Sequence, residues 1–164
     1  MKLEVGIIKE EKSWRALKII NKPTISKLVK ETLLYFPYFK NSTIELAILF
    51  TNDSKIQKLN LEFLKKDKPT NVLSFPDHEI DKNILFKSKK DNDYIYIGDI
   101  ALGFETIERE ALEKGISIYH HVAHMLIHGI LHLIGFDHQI EMEEEEMKSI
   151  EVQILKNLCI GNPY

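Results

Sequence analysis

The chain has 164 residues, 44% hydrophobic and 29% charged, with a net charge of −3; these proportions suit one globular domain over 1–164 and exclude a disordered or collagenous chain. A single cysteine, Cys159, excludes an internal disulfide, no apolar run reaches the ~18 residues of a membrane span, and residues 1–6 carry no secretory leader, so a cytoplasmic protein with no membrane contact is expected. Six acids against two bases in 141–164 leave the rest of the chain near neutral, which excludes a broad basic nucleic-acid footprint and restricts any RNA contact to a local patch or to one assisted by a partner.

In chain order, residues 2–9 alternate Leu3, Val5 and Ile7 with polar neighbours and predict a strand. Thr24, after Pro23, is read as the cap of a helix carrying Ile25, Leu28, Val29, Leu33 and Phe36, which Pro37 stops. Residues 43–51 are a second strand. Asp53 is expected to cap a helix with Ile56, Leu59 and Phe63 on one side, followed by the basic turn Lys65-Lys66-Asp67-Lys68-Pro69-Thr70. Residues 71–75 form a short strand closed by Pro76. Residues 77–93 are polar and aperiodic and are read as a mobile surface excursion. A strand over 94–102 follows, then a helix over 106–114 ended by Gly115. A long helix capped by Ser117 runs to about Gly135, and a last helix over 142–158 carries Met147, Ile150, Ile154 and Leu158 on one face. The order β-α-β-α-β-β-α-α-α predicts an α/β (α+β) fold, one mixed sheet of about four strands with packed helices.

The chemistry concentrates in His128-Gly129-Ile130-Leu131-His132-Leu133-Ile134-Gly135-Phe136-Asp137-His138. Residues four apart on a helix share a face, with Cβ atoms about 5–6 Å apart, so His128 and His132 can converge on one zinc ion at about 2.0–2.1 Å. His138 lies six residues further, which a continuing helix would place about 240° round. Gly135 is where the chain can adopt positive φ, end the helix and fold back to present His138. Three neutral imidazoles leave a fourth tetrahedral position for water, the arrangement of hydrolytic rather than structural zinc. This H-x3-H-x2-G-x2-H spacing occurs in some zinc proteases, but their general-base glutamate directly after the first histidine is here Gly129, which disfavours peptide hydrolysis. His124 is expected at the rim or hydrogen-bonded behind the ligands, and His120 and His121 at the surface. Asp137 either orients an imidazole or serves the turn. Cys159 is expected to be a buried tail residue.

The match at every fixed position of H-G-x-L-H-L-x-G-x-D-H over 128–138 resembles the signature of the YbeY family, bacterial endoribonucleases of rRNA maturation. Asp67-Lys68-Pro69-Thr70-Asn71-Val72-Leu73-Ser74-Phe75-Pro76 is similar to a second family stretch, which usually has Asp at position 71. Gly98-Asp99-Ile100 is similar to a third. The resemblance implies one zinc ion per chain on His128, His132 and His138, cleavage of single-stranded RNA, maturation of the 3′ end of small-subunit rRNA, and a part in ribosome quality control beside ribosomal or assembly-factor partners. It implies a mixed α/β sheet with the metal helix at its core. One departure stands out: the family commonly has arginine after N-x-x-[YF], and Asn60-Leu61-Glu62-Phe63-Leu64 has leucine there.

An arginine would supply a planar fork for phosphate. In its absence Lys65, Lys66 and Lys68 are the expected holders of the RNA backbone, and His128, through the metal, and Lys66 the expected catalytic groups. If Leu64 instead packs on the core, that gap has no catalytic meaning. The rival expectations are a zinc-stabilised assembly factor with little catalysis of its own, and a metzincin-like metallohydrolase acting on another small substrate.

Overall fold

The computed structural model describes residues 1–88, 92–138 and 140–164. Four strands, β1 (Lys2–Lys9), β2 (Thr43–Thr51), β3 (Val72–Pro76) and β4 (Tyr94–Gly103), form one sheet in the order β1-β2-β4-β3. β1, β2 and β4 run parallel, and β3 is antiparallel to β4 at the edge. The described residues also form six α-helices: α1 (Lys12–Ala16), α2 (Lys22–Leu34), α3 (Asp53–Leu64), α4 (Phe104–Glu113), α5 (Ile118–Leu133) and α6 (Glu141–Asn157), with short 3-10 turns at Pro37–Phe39 and Lys82–Ile84. The expected mixed α+β sheet is therefore the observed one.

Period-two alternation decides which face of the sheet is covered. In β2, Ile44, Leu46, Ile48 and Phe50 are buried in the main core, with Val5 of β1 and Ile100 and Leu102 of β4. Helices α2 and α5 close that face, with α6 packed on α5. The opposite face carries a smaller cluster, Ile56, Leu73 and Ala101, beneath α3. α5 is buried at 11 of its 16 positions. A helix apolar on nearly every side belongs at the centre of a fold, and α5 lies between the sheet and α2, α4 and α6.

Several local expectations need correction. Asn21, not Thr24, caps α2: its side chain accepts the Thr24 N–H at 3.0 Å. Asn52, not Asp53, caps α3 through the Lys55 N–H at 2.9 Å. α1 was not anticipated. It is one turn long, too short to display a period, yet its Trp14 is fully buried, donates Nε1–H to the Thr51 carbonyl at 2.8 Å and meets the rings of Phe50 and Phe104 edge-on.

The excursion at 77–93 is anchored rather than free. Ile80 and Leu85 are buried in the main core, and the Tyr38 N–H donates to the Leu85 carbonyl at 3.1 Å. Lys82 reaches Glu146 of α6 at 2.8 Å. Positions 89–91 of that excursion lie outside the described residues. Cys159 is exposed, not buried. No described helix is long and apolar enough to cross a membrane.

Candidate metal centre

Ser117 starts α5 as expected, accepting the His120 N–H at 3.2 Å. The end of α5 is built by two hydrogen bonds: Gly135 N–H to the His132 carbonyl at 3.2 Å and Phe136 N–H to the Leu131 carbonyl at 3.0 Å. This is the pattern of a helix closed by a residue in the left-handed region, and Gly135 has φ of +96°. A β-carbon there would lie 2.1 Å from the Ile80 carbonyl oxygen. Gly135 thus both reverses the chain and lets the 77–88 segment pack on the helix end.

The reversal brings His138 back over His128 and His132. Ring centroids lie 4.6 Å apart for His128–His132, 5.5 Å for His128–His138 and 5.0 Å for His132–His138. One ring nitrogen from each falls within 4.8 Å of the others, close enough for rotation of the side chains to bring all three onto one ion. His128 and His132 are half-buried and His138 is exposed.

The donor chemistry suits a cation. Burial, then the neighbouring His128 and His138, push His132 down to about 4, so this ring is neutral near pH 7 and its lone pair is available. His128 Nδ1 faces the Glu151 carboxylate at 2.8 Å. A carboxylate only accepts, so Nδ1 carries the hydrogen and Nε2 of the neutral ring carries the lone pair. That Nε2 lies 3.1 Å from His132 Nε2. Two ring nitrogens at that separation need a proton or a cation between them.

These imidazoles form part of the wall of a cavity of about 920 Å³. β3 supplies another part of the wall and, among the described residues, pairs with β4 alone, at the edge of the sheet. Lys66 and Lys68 line the cavity, as does Leu64. Lys65 does not: with φ of +59° it ends α3, and its ammonium donates to the Glu62 carbonyl at 2.9 Å. Asn60, buried, ties the turn from below by donating to the Lys68 carbonyl at 2.8 Å. Leu64 is 52% exposed, so it does not pack on the core.

The packing around Gly129 favours a small residue directly after His128. A β-carbon there would meet Ser74 Oγ at 3.1 Å, Ile100 Cδ1 at 3.2 Å and Val72 Cγ2 at 3.3 Å. The helix lies so close to β3 and β4 that a β-carbon there requires these side chains to give by a few tenths of an ångström.

His124 stands outside the ligand set. It is buried, with Nε2 3.2 Å from Glu151 Oε2. Asp137 serves the turn: its carboxylate accepts the His138 N–H at 2.8 Å. It also lies near enough to His132 to favour the protonated ring, against the larger effect of burial. His121 contradicts its surface expectation. It is 1% exposed and 2.7 Å from Glu110, which also accepts the Asn71 amide at 3.0 Å. Sequence reasoning missed Glu151 and Tyr164. Glu151 had a visible signal: it lies four residues after Met147, a lone charge inside the apolar stripe of α6.

Comparison with known proteins bears on the family and the fold. Residues 9–159 match the family model described as endoribonuclease YbeY. Over 119 residues the chain is 49% identical to the endoribonuclease YbeY of Chelativorans sp. (strain BNC1), covering 73% of this chain and 69% of that protein. The solution structure of TM1509 from Thermotoga maritima superposes with a TM-score of 0.56 at 21% identity, covering 95% of this chain and 92% of that one, and so bears on the fold alone. With an α5 that carries the histidine signature and a family match spanning nearly the whole chain, this protein belongs to the endoribonuclease YbeY family.

Proposed function

We propose that the protein is a zinc-dependent endoribonuclease that cuts single-stranded RNA and acts, in the cytoplasm beside ribosomal or assembly-factor partners, in maturing the 3′ end of small-subunit rRNA and in ribosome quality control. The observation that carries this reading is the convergence of His128, His132 and His138 in a cavity that Lys66 and Lys68 also line. When bound, the metal supplies a Lewis acid for a phosphoryl oxygen and lowers the pKa of a water toward neutrality.

The remaining work falls to the chain. Lys66 and Lys68 are point charges that hold successive phosphates without the geometric fork of an arginine. Val72, Ser74 and Pro76 of β3 line the same cavity as the histidines. Gly129 argues against peptide hydrolysis, because it puts no general-base carboxylate after His128, and a side chain there would crowd Ser74, Ile100 and Val72. Either water or the RNA's own 2′-OH is the nucleophile, and the product ends separate them: a 5′-phosphate for water, a cyclic phosphate for the 2′-OH.

The test is cleavage of labelled single-stranded and duplex RNA by zinc-loaded protein beside His132→Ala. Cutting of the single strand that His132→Ala abolishes supports the reading; equal cutting by both proteins refutes the metal role. Leu64 in the cavity wall favours one second reading, a zinc-stabilised assembly factor. Binding to small ribosomal subunits by a protein inert on free RNA would select it.

A further inference from the structure

We infer that Glu151 is the positioning residue of the metal site: from α6 it fixes the tautomer and orientation of His128, and Tyr164 and His124 hold Glu151 in place. The inference deepens the metal reading above and depends on it.

Glu151 is fully buried. A carboxylate in such surroundings is costly unless donors surround it. Three do. His128 Nδ1 lies 2.8 Å from Oε1, His124 Nε2 lies 3.2 Å from Oε2, and the Tyr164 hydroxyl donates to Oε2. Each donor comes from a segment remote from Glu151 in sequence, two from α5 and one from the stretch after α6. The Tyr164 ring also packs edge-on against His124, with centroids 5.3 Å apart, and its hydroxyl lies 3.3 Å from His124 Nε2. The carboxylate therefore has little freedom to rotate.

This rigidity has a chemical consequence. A neutral imidazole can carry its hydrogen on either nitrogen, and only one tautomer leaves Nε2 bare toward His132 and His138. Glu151 selects that tautomer, because an acceptor-only group at Nδ1 demands the hydrogen there. The negative charge, transmitted through the ring, also makes Nε2 a better electron donor. His124 follows the same logic from the other side: with Nε2 as its donor, its buried Nδ1 has no hydrogen-bond partner among the described residues. His124 therefore serves to seat the carboxylate.

The experiment measures zinc affinity by competition with a chromophoric chelator on the full chain, for wild type, His132→Ala, Glu151→Ala, Glu151→Gln and Tyr164→Phe. Thermal melts and ¹⁵N imidazole NMR of His128 are recorded on the metal-free proteins. Glu151→Ala is expected to weaken zinc binding about 10–100-fold and to populate the Nε2–H tautomer of His128. Glu151→Gln, whose carbonyl still accepts from Nδ1, should restore the tautomer but only part of the affinity, and Tyr164→Phe should show a smaller loss. A merely structural carboxylate would change the melt without changing the tautomer. Wild-type affinity in a folded Glu151→Ala protein, or an Nε2–H His128 in metal-free wild type, overturns the inference. If Glu151→Ala does not fold, wild-type affinity in both Glu151→Gln and Tyr164→Phe overturns it instead. Undiminished zinc binding by His132→Ala would overturn the metal site itself and the inference with it, a result distinct from loss in His132→Ala with retention in every Glu151 variant.

Discussion

Asp53 begins α3, yet its carboxylate serves α4: Oδ1 accepts the Thr106 N–H at 3.1 Å and Oδ2 accepts the Thr106 hydroxyl at 2.7 Å. The exchange is reciprocal, because Glu105 of α4 accepts the Asp53 N–H at 2.7 Å. The residue before α4 is Gly103, which has no capping side chain of its own. The two helix starts, where parallel β2 and β4 end, thus satisfy each other. Asp53→Ala should cost about 1–2 kcal/mol, the range of a lost helix cap. A double-mutant cycle with Thr106→Val should return a coupling of about 1 kcal/mol, read from denaturant midpoints. Additive losses would show that the pair does not interact.

Gly135 combines a φ of +96° with a β-carbon position 2.1 Å from the Ile80 carbonyl oxygen. Gly135→Val should destabilise the fold by more than about 1 kcal/mol and weaken zinc binding although it removes no ligand. Equilibrium dialysis and melts together check this. Unchanged zinc affinity would show that the path to His138 does not depend on this turn.

Leu64 is exposed in the cavity wall, so Leu64→Arg should keep its melting behaviour, with stability within about 0.5 kcal/mol of wild type. In the proposed nuclease it should raise cleavage about tenfold or more by restoring a fixed cation for developing phosphoryl charge. Lys66→Ala should weaken RNA binding and flatten the slope of log affinity against log salt by about 0.7, the share of one phosphate contact on a single strand. A folded, zinc-loaded Leu64→Arg protein with no gain would remove catalytic meaning from that position.

Metal-free protein should lose stability in two pH windows. Burial, then the neighbouring histidines, hold His132 at about 4 against an ordinary 6.5. The unfolded chain therefore binds more protons between those values, and stability falls as pH drops from about 6.5 to about 4. His121, lowered mainly by burial, adds to the same slope. Burial would raise Glu151, but hydrogen bonds from His124, His128 and Tyr164 outweigh it and hold the group at about 2 against an ordinary 4.5. Its contribution is present above about 4.5 and disappears as pH falls toward 2. Denaturant titrations across pH should show both slopes, with the upper one shallower in His132→Ala. An upper slope identical in that variant would contradict the depressed His132.

The sequence by itself determined what depends on neighbours a few residues away. The spacing of His128 and His132, the reversal at Gly135, the Ser117 cap and the alternation of 43–51 and 94–102 all follow from helical or strand periods and from local backbone preference. The tertiary structure decided what depends on packing between distant segments. Trp14 sits on a helix too short to display a period. Ile80 and Leu85 anchor a polar stretch through two isolated side chains. His121 is buried because Glu110 is there to receive it, and Asp53 caps a helix that starts 50 residues on. Glu151 reaches His128 across 23 residues of sequence. Its place in the apolar stripe of α6 marked it as unusual, but only the docking of α6 on α5 supplied the donors that make a buried charge stable there.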